Sequence, residues 1–142
     1  MKILLKISFF ALAIFFASCA SNKNDDPNSP QPSSDIRDNF IAFWNVIENS
    51  SIIGGVNSFV VNITKSTTNS NEIILNNFSG LAVSARASVS NNNITIPYQQ
   101  IGTIGFTQGS GTLTNAATIS LSYTNTIGAS SADICTAVYT KQ

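Results

Sequence analysis

The feature that most constrains the fold is a hydrophobic period of two that runs through most of the chain after Asp35. Phe59, Val61 and Ile63 alternate with Val60, Asn62 and Thr64, and Leu81, Val83, Ala85, Ala87 and Val89 alternate with Ala82, Ser84, Arg86 and Ser88. The pattern returns in Ile94, Ile96 and Tyr98, and in Ile119, Leu121 and Tyr123 against Ser120, Ser122 and Thr124. Successive side chains of a strand point to opposite faces, so each segment has one dry face and one largely wet face. Turn-forming residues fall between the segments at Gly54-Gly55, Asn69-Ser70-Asn71, Ser79-Gly80, Asn91-Asn92-Asn93, Gly109-Ser110-Gly111 and Gly128, as expected where the chain reverses.

This spacing predicts an all-β antiparallel up-and-down meander, with strands near 40–48, 57–66, 72–78, 80–89, 93–99, 101–108, 111–124 (broken near Asn115) and 133–141. Eight strands are enough to close a small barrel, which removes the exposed edges that a Thr- and Val-rich sheet would otherwise offer to other chains. A β-sandwich is the alternative. Ile36, Phe40, Phe43 and Ile47 could also form a helical stripe. A short helical turn over residues 35–38 leading into a strand that carries Trp44 is the preferred reading.

The first eighteen residues have a different character. Lys2 and Lys6 precede an apolar run from Ile7 to Phe16, followed by the small residues Ala17 and Ser18 and then Cys19, the order of a secretory signal. The apolar run is well short of the roughly 20 residues a transmembrane helix needs. Phe16-Ala17-Ser18-Cys19 resembles the lipobox of bacterial lipoproteins, with phenylalanine where leucine is more usual. That resemblance implies cleavage before Cys19, attachment of acyl chains to it, and a membrane partner held by two or three chains rather than one. It places the protein in the bacterial cell envelope, at the outer membrane. Between Ala20 and Ser34 the chain has three prolines, four serines and no aliphatic side chain larger than alanine, the composition of a flexible tether. Lys23 with Asp25 and Asp26 is similar to the charged patch behind the cysteine of surface-exposed Bacteroidetes-type lipoproteins. The expected organisation is a signal over 1–18, a lipidated cysteine and tether over 19–34, and one β domain over 35–142.

Without residues 1–18 the chain keeps five basic and seven acidic residues, which leaves no basic surface for nucleic acid. The chain contains no histidine, so Ser-His-Asp and Cys-His catalysis are ruled out and zinc or copper sites lose their commonest ligand. Five acids remain in the domain: Asp35, Asp38, Glu48, Glu72 and Asp133. Each falls near a segment end or turn, where solvated charge is the ordinary expectation, so no catalytic residue, metal site or cofactor is expected. With Cys19 consumed by lipid, Cys135 has no partner for an intramolecular disulfide and reads as a buried thiol. The four Asn-x-Ser/Thr triplets at Asn49, Asn62, Asn77 and Asn93 read as chance matches in a chain rich in these residues.

A turn before a tryptophan-bearing first strand, a meander and a basic residue ending the last strand resemble the calycin superfamily of lipocalin-like barrels. Ala42-Phe43-Trp44 stands where that family has Gly-x-Trp, and Lys141 would be the basic residue that packs over the tryptophan. Asn77-Phe78-Ser79-Gly80, Ile96-Pro97 and the Cys135–Lys141 ending are similar to small Bacteroidetes-type lipoproteins, and the resemblance spans most of residues 39–141. It implies a fold far more than an activity. Two functions are compatible with it: a structural or interaction module that meets envelope protein or glycan through a polar outer face, and a calycin-like binder of a small apolar ligand. For the binder, Trp44, Tyr98, Tyr123, Tyr139 and Lys141 would line the site, and Arg86 or Lys141 would meet a polar head. Phe40, Trp44, Phe59, Phe78, Tyr98, Phe106, Tyr123 and Tyr139 are many rings for a small barrel, so a filled interior is the expectation.

Overall fold

The computed structural model describes residues 34–142, apart from Ile53, Ala129 and Ser130. The signal, Cys19 and the tether up to residue 33 lie outside the described residues. Within the compact unit Ser34–Gln142, a 3₁₀ turn, η1 (Ile36–Asn39), leads into eight strands: β1 (Ala42–Ser50), β2 (Gly55–Lys65), β3 (Glu72–Phe78), β4 (Val83–Ser90), β5 (Asn93–Ile101), β6 (Gly105–Asn115), β7 (Thr118–Ile127) and β8 (Asp133–Lys141). Each strand pairs antiparallel with its neighbours in sequence, and β1 pairs with β8, so the meander closes into a barrel.

The helical turn forms because Asp35 caps it. Its carboxylate accepts the Arg37 backbone N–H at 3.0 Å and is clamped by the Arg37 guanidinium and by Lys65. These two cations hold the Asp35 carboxyl well below the usual carboxylate range. Closure is set by β1 and β8, where Trp44 faces Lys141, Val46 faces Tyr139 and Ser50 faces Cys135. Trp44 donates its indole N–H to the Phe40 carbonyl at 2.9 Å. The Lys141 ammonium stands 5.5 Å from the Trp44 ring centroid, closing the η1 end of the barrel.

Alternation fills the interior. Val61 and Ile63, Ile73 and Leu75, Ala85 and Ala87, Ile94 and Ile96, Ile119 and Leu121 are all buried. Rings from Phe40, Trp44, Phe78, Tyr123 and Tyr139 join them. They fit because the facing positions are small: Gly109 lies opposite Tyr123 and Gly111 opposite Leu121 in the β6–β7 register. A Cβ on Gly109 would come within 2.4 Å of both the Ser122 carbonyl oxygen and the Tyr123 Cβ. The segment Gly109-Ser110-Gly111 is therefore the interior of β6, and the expected turn there is absent. The expected strands over 101–108 and 111–124 correspond instead to β6 and β7, joined by Ala116-Ala117. Glycine, the usual turn former, serves here as room for a close neighbour.

Two other expectations are corrected. Leu81 belongs to the β3–β4 turn, in which Asn77, Ser79, Gly80 and Ala82 all have positive φ. The Asn77 side chain organises that turn by donating to the Val60 carbonyl at 2.8 Å and accepting the Ala82 N–H at 3.0 Å. In β5 the register slips between Ile96 and Gln99, so two successive residues, Pro97 and Tyr98, face outward. Tyr98 is 68% exposed and stacks on Phe106, ring centroids 5.2 Å apart, on the outside of the barrel. Neither Tyr98 nor Phe106 adds to the interior, whereas the half-buried Phe59 packs against its edge.

Candidate functional site

Topology sorts the barrel into two unlike ends. One carries η1, the β2–β3 connection and Lys141. The other carries the turns after β1, β3, β5 and β7. A buried polar cluster lies inside toward this second end. Parity along β1 places Glu48 on the same face as Trp44 and Val46, and Glu48 is 2% exposed. The same rule on β7 turns Tyr123 and Asn125 inward after Ile119 and Leu121, while the β3–β4 turn lowers Ser79 toward them.

The Tyr123 hydroxyl donates to Glu48 Oε2. Ser79 Oγ donates to the same oxygen at 3.1 Å, and Asn125 Nδ2 donates to Ser79 Oγ at 3.2 Å. Burial pushes the Glu48 carboxyl above its ordinary value, the Ser79 and Asn57 hydrogen bonds oppose that rise, and the nearby Asp133 charge adds to it. The expectation of a solvated Glu48 is thus corrected, and its parity with Trp44 and Val46 was the signal in the sequence that could have found it. Two buried polar atoms of this region, Asn125 Oδ1 and the Tyr139 hydroxyl, have no hydrogen-bond partner. Burial pushes the Tyr139 hydroxyl up, and the Glu48 charge adds to the effect.

Asp133, at the start of β8, ties the barrel's first and last strands. Ser50 Oγ donates to its Oδ2 at 2.8 Å, Ser51 Oγ to Oδ1 at 3.0 Å, and the Ile52 N–H to Oδ1 at 3.1 Å. Burial alone would raise this carboxyl, but the donors from Ser50, Ile52 and Ser51 outweigh it and leave Asp133 below its ordinary value. The Cys135 thiol is buried and directed at Asp133 Oδ2, 3.4 Å away. Burial and the neighbouring carboxylates push the thiol up, the opposite of what a nucleophilic cysteine needs.

The residues expected to line a ligand site are not brought together. Trp44, Tyr123 and Tyr139 are interior, but Trp44 packs at the η1 end and Tyr123 is committed to Glu48. Tyr98 is outside, because the β5 bulge reverses its face. Lys141 caps Trp44 and reaches the Asn39 carbonyl at 3.4 Å, away from the end that holds the polar cluster. Arg86 is on the outer wall, 3.9 Å from Glu72. Among the described residues no group of three or more His, Cys, Asp or Glu side chains could hold a metal ion.

The outer wall over β5, β6, β7, β8 and β1 is indented by an open groove of about 590 Å³. Hydroxyls and amides line it, among them Asn49, Ser110, Ser122 and Thr136, around the cross-strand apolar pair Ile47 and Val138. Sequence periodicity assigns these residues to the outside but does not reveal that the wall is concave there.

No family model matches the chain, and no curated protein matches it. Among solved structures the chain is similar to a redesigned beta barrel, with a TM-score of 0.52 and 11% sequence identity, over 76% of this chain and 96% of that one. At that identity the likeness is one of fold alone, that of a β-barrel.

Proposed function

We propose that this domain is a non-catalytic interaction module of a bacterial cell envelope, tethered through a lipidated Cys19, that meets protein or glycan across its outer wall. The observation that carries this reading is the contrast between the two sides of the wall. Five rings and a ladder of aliphatic side chains occupy the interior, whereas the outer groove presents hydroxyl and amide groups around Ile47 and Val138. Such a surface sets short hydrogen-bonding groups beside an apolar strip, which suits an extended partner that presents both polar and apolar edges. The resemblance to lipocalin-like lipoproteins supports the same placement at the outer membrane.

A second reading, a small ligand inside the barrel, is favoured by one observation: the unpartnered Asn125 Oδ1 and Tyr139 hydroxyl. Such atoms would welcome a polar group among the apolar side chains. Native mass spectrometry of residues 34–142 distinguishes the two readings. The module predicts the bare polypeptide mass and backbone NMR shifts at Asn49, Ser122 and Thr136 on adding envelope glycan fragments or an envelope protein extract. A co-purifying small molecule that protects Tyr139 would favour the second reading and sink the first. For the anchor, Cys19→Ala should abolish lipid attachment, and a variant that still partitions into detergent at the mature wild-type mass would refute it.

A further inference from the structure

Six of the eleven large apolar side chains left exposed among the described residues lie at one end of the barrel; Phe43, Ile47, Val60, Tyr98 and Val138 are the others. Ile52 on the β1–β2 turn, Val56 at the start of β2, Leu81 on the β3–β4 turn, Phe106 at the start of β6, Ile127 at the end of β7 and Ile134 at the start of β8 form a collar around the end opposite η1. The charges are distributed in the reverse sense. Asp35, Arg37, Asp38, Lys65, Glu72 and Lys141 belong to the η1 end, and Arg86 reaches toward it to meet Glu72. The collar end holds only Glu48 and Asp133 among the described charged residues: Glu48 is buried against Ser79 and Tyr123, and the partly exposed Asp133 is held by Ser50, Ser51 and the Ile52 N–H.

We propose that this collar seats in the surface layer of a lipid bilayer. Its side chains stand on projecting turns and strand ends, a convex shape that enters a fluid medium without needing a matching hollow. The one partly exposed charge at this end among the described residues, Asp133, already accepts from Ser50, Ser51 and the Ile52 N–H, which lowers the cost of dehydrating it. The Tyr98–Phe106 stack lies just behind the turns, where an amphipathic ring is suited to the headgroup level. Above the collar the outer wall is mixed, with Ser84, Ser122 and Thr136 beside Ile47, Val60 and Val138, and its hydroxyl groups limit the depth of entry. An apolar interior with a polar outer wall is also the reverse of a membrane-spanning barrel, so the geometry points to a protein that dips in at one end. This inference stands apart from Cys19 and from the outer groove, since it uses neither.

Residues 34–142 form a closed barrel whose core lies between Phe40 and Tyr139, so this fragment can be mixed with phosphatidylcholine vesicles and floated on a density gradient. It should float with the vesicles, and about 1 M NaCl should leave that unchanged because no ion pair to the lipid is involved. Leu81→Asp combined with Ile134→Asp should raise the half-binding lipid concentration at least about tenfold, with an unaltered thermal melt. Phe43→Asp, exposed near the η1 end, should change it less than about twofold. The proposal is overturned if the wild-type fragment stays at the bottom of the gradient, if salt releases it, or if Phe43→Asp is as damaging as the double variant. A dimer in the absence of lipid that the double variant dissociates, with no flotation, would overturn it in favour of a second copy on the collar.

Discussion

Glu48 is the residue whose chemistry and surroundings conflict most. Its carboxyl is buried among Tyr123, Ser79 and Asn125, and burial raises it above the ordinary value of 4.5. Below that pH the group is protonated in both folded and unfolded chains and contributes no pH dependence. As pH rises past it, the unfolded chain releases the proton before the folded one does, so the folded state loses stability until the pH passes the folded pKa, above which the loss levels off. Asp35 acts in the opposite sense: its lowered carboxyl contributes stability above 3.8 that is lost as pH falls. Glu48→Gln keeps an oxygen to accept from Tyr123 and removes the buried charge. Thermal melts should show the variant more stable than wild type at pH 8, by a free energy on the order of 1 kcal/mol, with the gain shrinking toward pH 4. A constant difference across that range would assign the effect to packing.

The fit of β6 against β7 depends on absent side chains. Gly109 faces the Tyr123 ring position and Gly111 faces Leu121, so the rings that crowd this barrel are accommodated by emptiness on the next strand. Gly109→Ala should lower stability by about 1–3 kcal/mol, because its Cβ meets backbone at 2.4 Å and a rigid strand has little room to yield. Ser110→Ala, one position along and facing outward, is the control and should stay within about 0.5 kcal/mol in a urea titration. Equal effects at the two positions would show that the close approach is not what requires glycine. Gly109-Ser110-Gly111 reads as a turn because glycine is common to turns and to close strand contacts, and only the neighbouring strand distinguishes them. Tyr98 is misassigned for a related reason: a single bulge exchanges the two faces of a strand while leaving the local sequence an ordinary alternation.

Closure through β1 and β8 makes the C-terminus structural, although these strands are nearly a hundred residues apart in the chain. Truncation after Thr136 would remove Ala137 and Tyr139 from the core, Lys141 from over Trp44, and most of the β1–β8 ladder. The expected loss is about 3–5 kcal/mol, comparable with the whole stability of a small domain. Trp44 fluorescence should shift toward that of a solvated indole. A truncated chain that melts cooperatively within a few degrees of the full domain, with unchanged Trp44 emission, would contradict that dependence. The all-β class, the meander, and the inward faces of most strands were determined by the sequence itself, because a period of two together with turn residues is local information carried by consecutive side chains. The meeting of Trp44 with Lys141 was also legible, since closure brings the first and last strands together. The inward cluster around Glu48, the outward face of Tyr98, the concave outer wall and the apolar collar were decided only in the tertiary structure. Each depends on which distant residues share an end or a face of the barrel, and that follows from register, bulges and closure rather than from any short stretch of chain.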